Sequence, residues 1–401
     1  MRIVIFGLPY SANVGDGVIA DCLSDTLRRA RPDLTIDHID LSGRQGFGAR
    51  TLRNRERALF ILARLPLWMR QRLVIWRLGR LLAKLRPDWQ RRVQGADLAI
   101  IGGGQLFSDA DLNFCLKIAQ AADVLAAAGV PVAVHGVGVS RNWTARGSAL
   151  FSRLFATDLR AVGLRDAPSR DAWTDQTGAL GPAPGLTRDP GLLAADCYGA
   201  APQKTGGVGL CVTSPMILSY HADSGVAGST GIGFFVDLAR ALVARGQSVA
   251  LFCNGATEDR AALADVAGHP DLAAMIAGAS VSVLPAPDTP DLLAHVIAGF
   301  EGVIAHRLHA CILAYAYRVP CVGLGWDRKL ESFFASVDHP QFFVGKEAAR
   351  PDSISALCAV AMETGVDTVR HAQVLAETRA QAVALLDLVT APPPEPTSGT
   401  S

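Results

Sequence analysis

Gly302-Val303-Ile304-Ala305-His306-Arg307-Leu308-His309-Ala310-Cys311-Ile312-Leu313-Ala314-Tyr315-Ala316-Tyr317 sets a polar segment between two apolar runs. Gly302–Ala305 has the length and unbroken apolarity of a strand covered on both faces. Ala310–Tyr317 is apolar enough for a buried helix. The only charge and both imidazoles fall at the junction. Such a strand–helix unit belongs in a parallel α/β sheet, where ligands collect at the carboxyl ends of strands.

The same pattern recurs outward in both directions. Cys321–Leu324 reads as the next and last strand. Upstream, Pro290–Ala298 is a helix opened by Asp288-Thr289-Pro290. Val281–Leu284, Ser248–Cys253 and Val208–Val212 are strands, and Phe234–Ala244 is a helix. A first run of the same kind starts at the strand Arg2–Phe6, followed by the loop Gly7–Gly17 and a helix near Val18–Arg29. Strands are expected at Leu34–Leu41, Leu98–Ile101, Val130–Val134 and Ala161–Leu164, with a helix over about Phe114–Ala128. Between the runs, residues 178–206 are dominated by Gly, Pro and Ala and read as a connection.

The expectation is therefore an α/β protein with two Rossmann-like domains facing a cleft. An N-terminal domain covers 1–200, with a basic helical insertion at about 50–92. A C-terminal domain covers 206–350, a C-terminal helical segment 351–390, and a Pro-rich disordered tail 391–401.

Composition bounds the rest. The chain has 401 residues, half of them apolar, which suffices for two or three cores. The net charge of +1 hides an asymmetry. Thirteen Lys and Arg between Arg50 and Arg92 face only Glu56 and Asp88, so that stretch carries +11 and the remainder −10. Leucines and tryptophans are interleaved with the arginines. Two readings stand: a basic helix lying in a membrane interface, or an insertion packed on the core with its arginines in water. Nucleic acid is not expected as a partner. The eight cysteines are scattered without a CxxC pair, which suits buried thiols in a reducing compartment. Met1–Gly7 reads as a strand rather than a leader, and no run of about 18 apolar residues occurs. A cytoplasmic protein is expected.

Several strand ends carry residues suited to chemistry. Asn13-Val14-Gly15-Asp16 opens a helix, either as an anion site or as a helix cap. Gly102-Gly103-Gly104-Gln105 puts bare backbone against a ligand or against a neighbouring loop. Arg165-Asp166-Ala-Pro-Ser169 offers an arginine for a carboxylate or phosphate, or a local salt bridge. Arg188-Asp189-Pro190 has the character of a turn. Glu258-Asp259-Arg260 and Trp326-Asp327-Arg328-Lys329 fall on the same edge. At His306–His309, an arginine and two histidines at a helix start can hold an anion and move protons. Zinc is not expected, because two histidines are too few ligands.

Taken in order, Asn13-x-Gly15-Asp16, Gly102-Gly-Gly104, Gly136-Val-Gly138, Arg165-Asp-x-x-Ser169, Arg188-Asp-Pro190 and Arg307-Leu-His309-Ala resemble the polysaccharide pyruvyl transferases, from Arg2 to about Phe334. That family is similar in fold to GT-B glycosyltransferases but uses phosphoenolpyruvate as donor. No cofactor or metal site is expected. The resemblance implies that Arg307 and His309 are catalytic. It places Arg165, Ser169, Leu308, His306, Lys329, Asn13, Gly15, Asp16, Gly103 and Gly104 around the substrates. The acceptor would be a glycan, lipid-linked if the basic segment meets a membrane, in exopolysaccharide or cell-envelope synthesis. Two features depart from the family: His306 stands where a small polar residue is usual, and the basic insertion is long. The first leaves both histidines open as the general acid. The competing reading is a GT-B glycosyltransferase with a nucleotide-sugar donor.

Overall fold

The computed structural model describes residues 1–48, 66–178, 180–200, 206–220, 231–325 and 328–390. They form two compact units. The first comprises Met1–Tyr10, Ile19–Pro190 and the chain from Glu377; the second comprises Ser11–Val18 and Gly191–Ala376.

The first unit holds six parallel strands: β1 (Arg2–Gly7), β2 (Thr35–Asp40), β3 (Leu98–Gly102), β4 (Pro131–Val137), β5 (Asp158–Leu164) and β6 (Pro184–Leu186). Their order is β2-β1-β3-β4-β5-β6. Because side chains alternate across a strand, β1 feeds two cores. Ile3 and Ile5 join Leu23, Leu98 and Ile100 on one face; Val4 and Phe6 join Leu82, Trp89 and Ile101 on the other. A strand buried on both sides needs this unbroken Ile/Val/Phe run.

The second unit repeats the plan with β7 (Val208–Cys211), β8 (Val249–Phe252), β9 (Val281–Val283), β10 (Gly302–Ala305), β11 (Cys321–Leu324) and β12 (Phe343–Val344). The order β12-β11-β10-β7-β8-β9 is again all parallel. The chain moves outward from β7 through β8 to β9, then returns to β10 on the other side of β7. That reversal is where parallel sheets open a crevice for ligands.

Three expectations shift. The presumed connection at 178–206 contains β6, a 3-10 turn at Pro190–Leu193 and a short helix, Ala194–Tyr198. The boundary between units falls inside it, after Pro190. The segment expected as one C-terminal helical piece is divided instead. The helix Pro351–Thr364 belongs to the second unit, whereas the end of Thr368–Val383 belongs to the first, where Ala382 and Leu385 enter the core. Ser11–Val18, read as part of the N-terminal domain, is counted with the second unit. Of the basic stretch, Leu67–Val93 is one helix; residues 49–65 lie outside the described residues, as does the tail 391–401.

Candidate active site

The junction after β10 brings charged and polar side chains of the second unit together. Arg307 is the N-cap of the helix Leu308–Ala316, with extended backbone (φ −82°, ψ 119°) that ends the strand and starts the helix. Its Nε and Nη2 each donate to the carboxylate of Asp259, at 2.8 Å. Asp259 is fully buried, sits in the first turn of the helix Thr257–Ala267 after β8, and also accepts the backbone N–H of Ser214 at 2.9 Å. Burial alone would weaken the Arg307 cation; the Asp259 carboxylate overrides this and holds it above its ordinary range. A forked guanidinium–carboxylate pair is the strong, orientation-fixing kind. Among the described residues Nη1 makes no hydrogen bond, and 13% of the side chain remains exposed.

His309, in the first turn of the helix, is buried. Its Nδ1 lies 3.9 Å from Oδ1 of Asp16. The approach depends on Gly15: a Cβ there would fall 2.6 Å from His309 Cβ and 2.9 Å from Cγ. The expected Asn13-Val14-Gly15-Asp16 loop therefore meets the Arg-Leu-His segment within one unit. Asn13 supports the loop by accepting the Asp16 N–H at 3.0 Å, and its Nδ2 donates to Asp16 Oδ1 at 3.5 Å. The loop is anchored by the Val14 N–H, which donates to the Asn254 carbonyl at 3.1 Å.

His306 is placed differently. It is buried against the rings of Phe234 and Phe235, with centroids 6.0 and 5.6 Å away. Burial, helped by the neighbouring Arg307 charge, pushes its pKa down to about 3. It is a neutral imidazole at pH 7. Leu308 is half-buried at the first helical position, and Lys329 lies in the first turn of the helix Arg328–Ser336 after β11, the neighbour of β10. Trp326 lies outside the described residues.

Two further polar atoms at this sheet edge are buried without a hydrogen-bond partner among the described residues: Thr213 Oγ1 after β7 and Asn254 Nδ2 after β8. Both add hydrogen-bonding capacity near the Arg307–Asp259 pair. The sequence puts Glu258-Asp259-Arg260 on this edge as a helix start that can line the cleft, whereas Thr213 and Asn254 give no signal as ligand contacts. The pairing of Asp259 with Arg307 depends on strand order.

Arg165, Ser169, Gly103 and Gly104 belong to the first unit. Arg165 is 8% exposed and shared between Asp166 at 3.6 Å and Asp189 at 4.0 Å, with Gln105 Oε1 at 3.5 Å. Ser169 is buried; its hydroxyl accepts the Val139 N–H at 3.1 Å and its own N–H caps onto Asp166 at 2.8 Å. Gly103 and Gly104 take φ of +80° and +74°, and a Cβ on Gly103 would meet Ile19 at 2.8 Å. Close packing against a neighbouring helix thus accounts for Gly103.

The sequence matches the polysaccharide pyruvyl transferase family over residues 13–328. The chain belongs to that family. The match spans both units and includes the Asn13–Asp16 and Arg307–His309 segments. A comparison with curated protein sequences gives no match. Among solved structures, the chain is similar to UDP-GlcNAc 2-epimerase from Methanocaldococcus jannaschii, at 10% identity over 97% of this chain and 99% of that one, with a TM-score of 0.55. It is also similar to an α,α-trehalose-phosphate synthase (UDP-forming) from Burkholderia vietnamiensis, at 11% identity over 97% and 100%, with a TM-score of 0.50. At such identities the likeness concerns the fold: two parallel-sheet α/β domains of the GT-B-like class. As a family of transferases, the polysaccharide pyruvyl transferases make this chain an enzyme with a polysaccharide acceptor.

Proposed function

We propose that the enzyme moves the pyruvyl group of phosphoenolpyruvate onto a sugar of a lipid-linked polysaccharide repeat unit, closing a ketal. The observation that carries this reading is the junction after β10. There Arg307 is locked by Asp259, and His309 packs on Gly15 beside Asp16.

The donor bears a carboxylate and a phosphate. Arg307 retains Nη1 for such an anion, and the start of the helix Leu308–Ala316 adds a favourable dipole. Lys329 supplies a further cation. A fixed guanidinium costs no reorganisation as charge develops on the departing phosphate.

In the reaction, His309 gives a proton to the methylene carbon of the donor, leaving C2 electron-poor. A sugar hydroxyl attacks C2 and loses its proton. The C2–O bond to phosphate then breaks, its electron pair leaving with phosphate. A second hydroxyl closes the ring and gives up its proton in turn. One proton ends on the new methyl group and one on the released phosphate. Asp16 keeps the His309 ring oriented. His306, neutral and held between phenylalanines, is a packing residue in this scheme.

Thermal stabilisation by phosphoenolpyruvate but not by nucleotide sugars is the expected outcome, with mass spectrometry finding one added pyruvyl ketal on a lipid-linked glycan. Stabilisation by a nucleotide sugar alone, with sugar transferred, would replace this reading by glycosyl transfer.

A further inference from the structure

The helix Leu67–Val93 has two faces, and among the described residues only one packs into the core. Leu82, Trp89 and Val93 are buried in the first unit's core, and Ile75, Leu78 and Leu85 pack against it. These positions follow helical spacing and account for the helix's attachment. Met69, Leu73, Trp76, Arg77, Arg80 and Lys84 fall on the opposite side at steps of three and four, and all are exposed. Trp76 is 55% exposed and Leu73 43%. A helix that has already buried one apolar face does not need a tryptophan, a leucine and a methionine on the other.

The charges point the same way. The helix carries eight Arg and Lys against the single acid Asp88. Arg70 pairs with Asp111, and Arg92 with Asp37, at the edges of the packed face. Arg77, Arg80 and Lys84 make no ion pair among the described residues, and the Arg80 guanidinium lies 4.1 Å over the Trp76 ring. The outer face therefore presents apolar bulk toward its N-terminal half and unneutralised cations toward the C-terminal half. No helix among the described residues is long and apolar enough to cross a membrane.

We infer that this outer face docks the enzyme on an anionic bilayer surface. Trp76, Leu73 and Met69 enter the headgroup region, while Arg77, Arg80 and Lys84 meet lipid phosphates. Tryptophan suits that depth, with an apolar ring and one N–H donor. Basic side chains gain from the negative surface potential within a Debye length. The inference deepens the proposed lipid-linked acceptor by bringing the enzyme to the surface where such an acceptor lies. It stands on the helix alone and does not depend on the donor.

The test uses the full chain and two sets of vesicles: phosphatidylcholine alone, and phosphatidylcholine with about one third phosphatidylglycerol, a strongly anionic surface. Co-sedimentation is expected only with the anionic set, and is expected to weaken as salt shortens the Debye length. Arg77→Gln, Arg80→Gln and Lys84→Gln together should lower the partition coefficient on the order of a hundredfold. Leu73→Ala with Trp76→Ala should lower it by roughly tenfold or more. None of these five residues enters the core, so an unchanged melting temperature is expected for both variants. Arg77→Lys with Arg80→Lys, which keeps the charge, should bind nearly as before. Wild type remaining in the supernatant with anionic vesicles at low salt would overturn the inference. So would binding that ignores both variant sets, or an outer face that instead joins two copies, seen as a dimer lost on Leu73→Ala with Trp76→Ala. Pyruvyl transfer to a soluble glycan, measured in parallel, separates the two claims: transfer without vesicle binding removes the docking surface alone, and vesicle binding without transfer removes the donor reading alone.

Discussion

Arg307 and Arg165 were both expected to hold the donor, and their surroundings differ. Arg307, in the second unit, is clamped by one carboxylate in a two-pronged pair at 2.8 Å, leaving one nitrogen uncommitted among the described residues. Arg165, in the first, has two carboxylates at 3.6 and 4.0 Å and an amide oxygen at 3.5 Å, none at the distance of a strong bond. The first pair is neutral and fixed in direction. The second cluster carries an extra negative charge and is looser. An arginine at a strand end is therefore a candidate by position, but its partners decide whether it presents a rigid, available donor group.

The largest effect is expected from removing the clamp. Asp259→Ala would leave a buried guanidinium without its counter-charge, at a cost of about 3–5 kcal/mol, whereas Asp189→Ala leaves Arg165 its second carboxylate, Asp166, and should cost less. Calorimetric melting of the two variants checks this. Equal losses would mean that the two arginines are held alike.

Both units also carry a histidine that the fold keeps neutral, and acid should expose it. Burial pushes His306 down to about 3 and His135, in β4, down to about 4; His38, in β2, is likewise near 4, through burial and then the Arg28 charge. The ordinary value is 6.5, so the unfolded chain binds protons that the native chain refuses. Stability is complete above about pH 6.5 and falls progressively as pH drops toward 4. A melting temperature constant from pH 7 to pH 4.5 would show that these rings are not held neutral.

Much of this comparison was legible in the sequence. Gly302–Ala305, Pro290–Ala298 and Cys321–Leu324 form the elements expected of them, residue for residue, because apolar runs of strand or helix length bounded by Gly, Pro or charge leave little choice. The short strands were less visible. Pro184–Leu186 and Phe343–Val344 have three and two residues and no periodicity to read. Nor could strand order be read, and with it went the pairing of Arg307 with Asp259, 48 positions apart. The contact of Gly15 with His309 is likewise a product of packing: the glycine was visible, but the ring it accommodates was not.

The central claim is that Arg307 holds the donor and His309 protonates it. Its most direct test is pyruvyl transfer in deuterium oxide, at saturating phosphoenolpyruvate, by wild type and His309→Ala. Wild type should place one deuterium in the ketal methyl group. The variant should still bind phosphoenolpyruvate but lose about 10²–10⁴-fold in turnover. A variant that binds donor and turns over at nearly the wild-type rate, with the same deuterium in its product, would contradict the account.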